Sequence, residues 1–86
     1  MTDRSDDSAV LGDGVDPHVA VEIVVNGEPM QVDGGATVAD LLRRLDRDPR
    51  VLAVERNCDL VRRKLHGETR LEAGDRIEIV TLVGGG

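Results

Sequence analysis

Only a short stretch of this chain carries a clear helical apolar stripe. Val38, Leu41, Leu42 and Leu45 fall at i, i+3, i+4 and i+7, a spacing that puts all four on one face of an α-helix. Thr37 precedes the stripe as a candidate N-cap, and Asp40 stands three residues on, an Asp version of the capping-box position. Arg43, Arg44 and Arg47 cluster towards the C-terminal end, where positive charge is favoured. Pro49 is expected to stop the helix. Such a helix is apolar on one side only and must lie across a second layer.

Short β-branched runs supply that layer. Residues 19–25 and 29–32 flank Asn26-Gly27, the strongest two-residue hairpin signal, and Asp33-Gly34-Gly35 breaks the second run. Residues 51–56 read as a third strand, and Asn57-Cys58-Asp59 as the turn after it. Residues 60–70 are polar and leave open a short strand or a helical turn around Val61. A turn at residues 71–75 leads into a last strand over 76–83, which runs into Gly84-Gly85-Gly86. Strand, strand, helix, strand, short piece, strand is the order of an α+β fold, the β-grasp: a mixed sheet of four to five strands with one main helix packed across it. Alternation turns Ile77, Ile79, Leu52 and Val54 towards the helix. The opposite sheet face then carries Val80, Leu82, Ala53 and Val24, a candidate apolar docking patch, with Glu22, Glu55 and Glu78 on the same side.

Composition narrows the function classes. Phe, Tyr and Trp are absent, so no aromatic platform exists for stacking single-stranded bases. The net charge is −6, which argues against general nucleic-acid binding. The acidity is concentrated in residues 1–18, where Asp3, Asp6, Asp7, Asp13 and Asp16 face only Arg4. This leader is expected to be disordered, with residues 19–83 the folded domain and 84–86 a flexible tail. No apolar run approaches the roughly 20 residues that cross a bilayer, and the acidic start has no secretory character. The single cysteine, Cys58, reads as an incidental turn thiol, and a cytoplasmic setting is expected. His18 and His66 have no second ligand at metal spacing, so both are expected in solvent, and no metal site is read. The Arg62-Arg63-Lys64 run reads as a solvated face. No acid–base pair or nucleophile–base constellation appears, so an enzyme is the weakest reading of these residues.

The ending is the feature that carries chemistry. Three glycines after a strand offer an unhindered carboxylate on a stalk with no side chains, thin enough to enter a narrow channel. Val54-Glu55-Arg56-Asn57, then Gly74-Asp75-Arg76-Ile77-Glu78-Ile79-Val80, then Val83-Gly84-Gly85-Gly86 resemble the ThiS family, the sulfur-carrier proteins of thiamin biosynthesis. Asn26-Gly27 and residues 37–42 sit where that family has its hairpin turn and helix start. The resemblance covers residues 20–86. Leu82 stands where many members carry an aromatic residue, and residues 61–66 lack a proline common there. The resemblance implies that a ThiF-like adenylating enzyme, using ATP and Mg²⁺, converts the Gly86 carboxylate to an acyl adenylate. Sulfur from a cysteine desulfurase relay then gives a thiocarboxylate, which donates to a ThiG-like thiazole synthase. No cofactor of the carrier's own is implied. Two alternatives share the tail: a thiocarboxylate donor of another pathway, like the small subunit of molybdopterin synthase, and a ubiquitin-like protein modifier.

Overall fold

The computed structural model describes residues 19–82. Two antiparallel strands, β1 (Ala20–Val25) and β2 (Glu28–Asp33), are joined by Asn26-Gly27, and the helix α1 (Val38–Arg44) follows. A 3-10 turn over Pro49–Val51 leads to β3 (Leu52–Arg56) and β4 (Asp59–Val61). A second 3-10 turn (Arg63–Leu65) precedes β5 (Arg76–Thr81). The sheet order is β2-β1-β5-β3-β4. β5 runs parallel to β1 and antiparallel to β3, so the last strand lies in the middle of a mixed sheet. This is the β-grasp that the residue order predicts.

The core is aliphatic throughout. Ile23 of β1, Val32 of β2, Leu52 and Val54 of β3, and Ile77 and Ile79 of β5 turn one sheet face towards α1. Val38, Leu41 and Leu42 complete it from the helix, with Leu45 packed half-buried at its edge. A truncation such as Leu41→Ala in a core this thin costs about 2–5 kcal/mol.

The helix start follows the sequence. Thr37 caps it: its Oγ1 accepts the Asp40 N–H at 3.2 Å while its own N–H donates to the Asp40 carboxylate at 3.0 Å. The next two N–H groups, of Val38 and Ala39, donate to the carbonyls of Thr69 and His66 at 2.9 Å each. The first turn therefore has no unmet donor.

The helix end corrects the expectation placed on Pro49. The helix stops at Arg44, because Asp46 takes a left-handed conformation with φ 56°. The Asp46 N–H donates to the Arg43 carbonyl and the Arg47 N–H to the Leu42 carbonyl, at 3.1 and 2.9 Å, the bond pair of a Schellman ending. Asp fills the position where Gly is usual, which concealed the stop. Pro49 instead opens the 3-10 turn, capped by the side chain of Asp48 on the Arg50 N–H.

The stretch left open resolves into β4 and the second 3-10 turn. His66, expected in solvent, is buried at 5% exposure, its Nε2 3.1 Å from the Val61 carbonyl. A carbonyl can only accept, so Nε2 carries the proton.

Candidate functional site

The functional question concerns what β5 presents beyond its end. Leu82 is the last described residue. The sequence-predicted tail, Gly84, Gly85 and Gly86, lies outside the described residues, as does the leader over residues 1–18.

β5 is clamped from both neighbours. On the β1 side the strand ladder itself reaches only the Val25–Ile77 register. Asn26 continues it. Its backbone N–H donates to the Ile77 carbonyl at 2.8 Å. Its side-chain amide then stands in for another peptide unit: Nδ2 donates to the Ile79 carbonyl at 3.2 Å, and Oδ1 accepts the Ile79 N–H at 2.7 Å. On the β3 side the register runs Arg56–Ile77, Val54–Ile79 and Leu52–Thr81, and the Leu82 N–H donates to the Val51 carbonyl at 2.8 Å. Arg47, just past α1, donates to Thr81 Oγ1 at 2.8 Å. The chain is thus held up to the threshold of the tail.

The start of β5 has a matching clamp. Asn57 donates its backbone N–H to the Arg76 carbonyl at 2.8 Å and accepts the Arg76 N–H on Oδ1 at 2.9 Å. Its Nδ2 donates to Asp75 at 3.0 Å. Asp75 is buried, at 5% exposure. Its carboxylate also accepts from Arg56 Nε and from the Glu72 N–H, both at 2.8 Å. A buried carboxylate holding three donors is a structural hub, its charge met by a half-buried arginine.

The four residues of the predicted docking patch do not all meet. Ala53 and Val80 are register partners, and Leu82 follows two residues along the same face. Val80 and Leu82 are 51% and 57% exposed, and Val51, also exposed, adjoins them through its bond to Leu82. Val24 stands opposite Arg76, at the other end of β5. Four residues of strand separate it from Val80, about 13 Å. The apolar patch is therefore Ala53, Val80, Leu82 and Val51, beside the tail exit. Glu55 and Glu78, directly opposite one another, border it.

Cys58 is exposed at the tip of the β3–β4 hairpin. Among the described residues no group of three or more His, Cys, Asp and Glu side chains could hold a metal ion, and no helix is long and apolar enough to cross a membrane. Residue reasoning missed Asn26 as a strand clamp, Asp75 as a hub and Arg47 as a brace on Thr81. Asn26 and Asp75 stood in turn positions, where asparagine and aspartate already have a sufficient local explanation.

The chain is similar to several known proteins. A solved structure of the thiamine biosynthesis protein (ThiS) from Geobacter metallireducens superposes with a TM-score of 0.67 at 32% identity, over 77% of this chain and 100% of that one. Two proteins called thiazole synthase are similar: from Paramagnetospirillum magneticum at 38% identity and from Magnetococcus marinus at 41%, each over 66 residues. Those residues are 77% of this chain but only 20% of each relative, so the chain spans about one fifth of their length. The "Uncharacterized protein ycf40" of Porphyra purpurea is 35% identical over 66 residues, 77% of this chain and 93% of that protein. The ThiS family model matches residues 23–86, most of the chain, tail included. On that match, and on a β-grasp sheet with β5 at its centre, the chain belongs to the ThiS family.

Proposed function

We propose that this chain carries sulfur for assembly of the thiamin thiazole and works as a co-substrate, not as an enzyme. The observation that carries the reading is the family match running through Gly86, joined to a strand braced on both edges as far as Leu82. The Gly86 carboxylate is the reacting group. A carboxylate is a poor electrophile, so a ThiF-like partner with ATP and Mg²⁺ activates it. A carboxylate oxygen attacks the α-phosphorus, pyrophosphate leaves, and an acyl adenylate results. A persulfide from a cysteine desulfurase relay then attacks the acyl carbon and displaces AMP, giving an acyl disulfide; a thiol reductant cleaves its S–S bond, leaving the thiocarboxylate on Gly86 and the thiol oxidised to a disulfide. The thiocarboxylate is a soft nucleophile that donates its sulfur in the active site of a thiazole synthase.

The thiazole synthase is favoured as acceptor because segments like this chain occur inside longer proteins of that name. The patch of Ala53, Val80 and Leu82, at the end of β5 that precedes the glycines in sequence, suits docking of either partner.

Intact-protein mass spectrometry of the chain produced with its adenylating partner tests the reading. A sulfur-for-oxygen mass increment on the final residue supports a carrier; isopeptide-linked conjugates support a modifier instead. Deletion of Gly86 is expected to abolish sulfur transfer and leave the melting temperature unchanged. Sulfur transfer that survives the deletion overturns the proposal.

A further inference from the structure

A groove on the helix side of the domain, away from the sheet patch, has no role in the reading above. It lies between α1 and the 3-10 turn that follows β4, and encloses about 320 Å³. Ala39, Leu42 and Pro49 form an apolar floor, while Arg43, Arg47 and Arg63 stand around the rim. Arg43 also pairs with Asp40. Among the described residues, neither Arg47 nor Arg63 has a carboxylate within ion-pair distance. Apolar floor and cationic rim together suit a short apolar segment bordered by carboxylates.

The chain contains one. Residues 6–13 read Asp-Asp-Ser-Ala-Val-Leu-Gly-Asp, an apolar Ala9-Val10-Leu11 between Asp6, Asp7 and Asp13. We propose that this segment of the leader, which lies outside the described residues, docks in cis into the groove, with Val10 and Leu11 on the floor and the aspartates against the arginines. The reach is sufficient. Val19, where the leader joins the domain, accepts the Gly34 N–H on its carbonyl at 2.9 Å, four residues before the start of α1. The groove runs along that helix, which is about 10 Å long. Seven residues lie between Leu11 and Val19, and the eight Cα–Cα steps span up to about 27 Å. Tethering also raises the local concentration of the segment to the millimolar range (order ~1 mM), so a weak contact is populated.

The charge arithmetic points the same way. Around the groove Arg43, Arg47 and Arg63 outnumber the neighbouring carboxylates, Asp40 beside Arg43 and Asp48 near Arg63; the outer sheet face carries Glu22, Glu55 and Glu78 with Arg76. An acidic segment is drawn to the helix side and repelled from the sheet patch.

Paramagnetic NMR on the full chain tests this. A nitroxide is placed on Ser8→Cys in a Cys58→Ser background, and amide intensities are compared with the reduced label. The expected result is loss of intensity at Ala39 and Gly67, with Glu22 and Val80 on the outer face unaffected. The loss should diminish as salt rises. It should vanish in Leu11→Asp, a change in the leader that spares the packed domain. In Arg47→Glu/Arg63→Glu it should vanish also, and return when Asp7→Lys/Asp13→Lys is added. No loss at the groove, or equal loss on both faces, overturns the proposal. So does loss at Val80, which would place the leader on the sheet patch. Loss at Ala39 in a mixture of spin-labelled unenriched chain and unlabelled ¹⁵N chain overturns docking in cis and makes a second copy the occupant.

Discussion

Asn26 and Asn57 hold the same position in two hairpins and act on the same strand. Both are left-handed, with φ 49° and 53°, a conformation asparagine tolerates better than most residues. Each uses backbone and side-chain amide together to extend pairing along β5, at Ile79 and at Arg76. Asn26→Gly keeps the turn and removes only the amide, leaving a buried N–H and carbonyl of Ile79 unmet. The expected cost is about 2–3 kcal/mol, read from urea unfolding. Next to Asn57, Cys58 also has a left-handed backbone, φ 75°. Left-handed geometry costs a residue with a Cβ roughly 1–2 kcal/mol, and glycine's added freedom in the unfolded chain returns roughly 0.5–1. Cys58→Gly should therefore stabilise the protein by about 0.5 kcal/mol. A drop in its denaturation midpoint would show that the thiol contributes packing that outweighs the strain.

At the scale of elements, the short helix depends on its ends. Seven residues are too few to be helical alone, and the Thr37–Asp40 box and the Asp46 ending define its span. Thr37→Ala is expected to cost about 1 kcal/mol. The Asp40 carboxyl lies below the ordinary aspartate range because it accepts the Thr37 N–H and, less strongly, pairs with Arg43. A lowered folded pKa means stabilisation that is full above the unfolded value, about 3.9, and disappears as pH falls through the folded one. Asp40→Asn should then be less stable than wild type at pH 7 by a few tenths of a kcal/mol, since the carboxylate is half-exposed and screened. The two unfolding curves should converge in acid. A gap that persists at pH 2 would assign the loss to geometry and not to charge.

For the whole molecule, one face of β5 is buried against the helix and the other is open to solvent. Ile79 is buried against the helix, at 6% exposure, and its neighbour Val80 is half in solvent. Ile79→Asp should unfold the domain, while Val80→Asp should melt close to wild type and weaken binding of the adenylating partner or the thiazole synthase. A Val80→Asp variant that melts far lower would mean that this face is covered in the folded state. β5 lies between β1 and β3, flanked on both edges.

Local signals by themselves determined the parts. Asn26-Gly27 specified the first turn because both residues accept positive φ, the 3.6-residue stripe specified the helix, and alternation along β3 and β5 specified which side chains are buried. The composition of the ending and the flanking motifs were enough to suggest the family. Only tertiary structure decided what nonlocal contacts decide. It placed β5 beside β1, lent the Asn26 amide to Ile79, buried His66 and Asp75, and set Val24 some four residues away from the patch it was expected to join. Parallel register between distant strands leaves no local mark, because pairing partners 53 residues apart are brought together by the closure of the sheet and not by any neighbour in the chain.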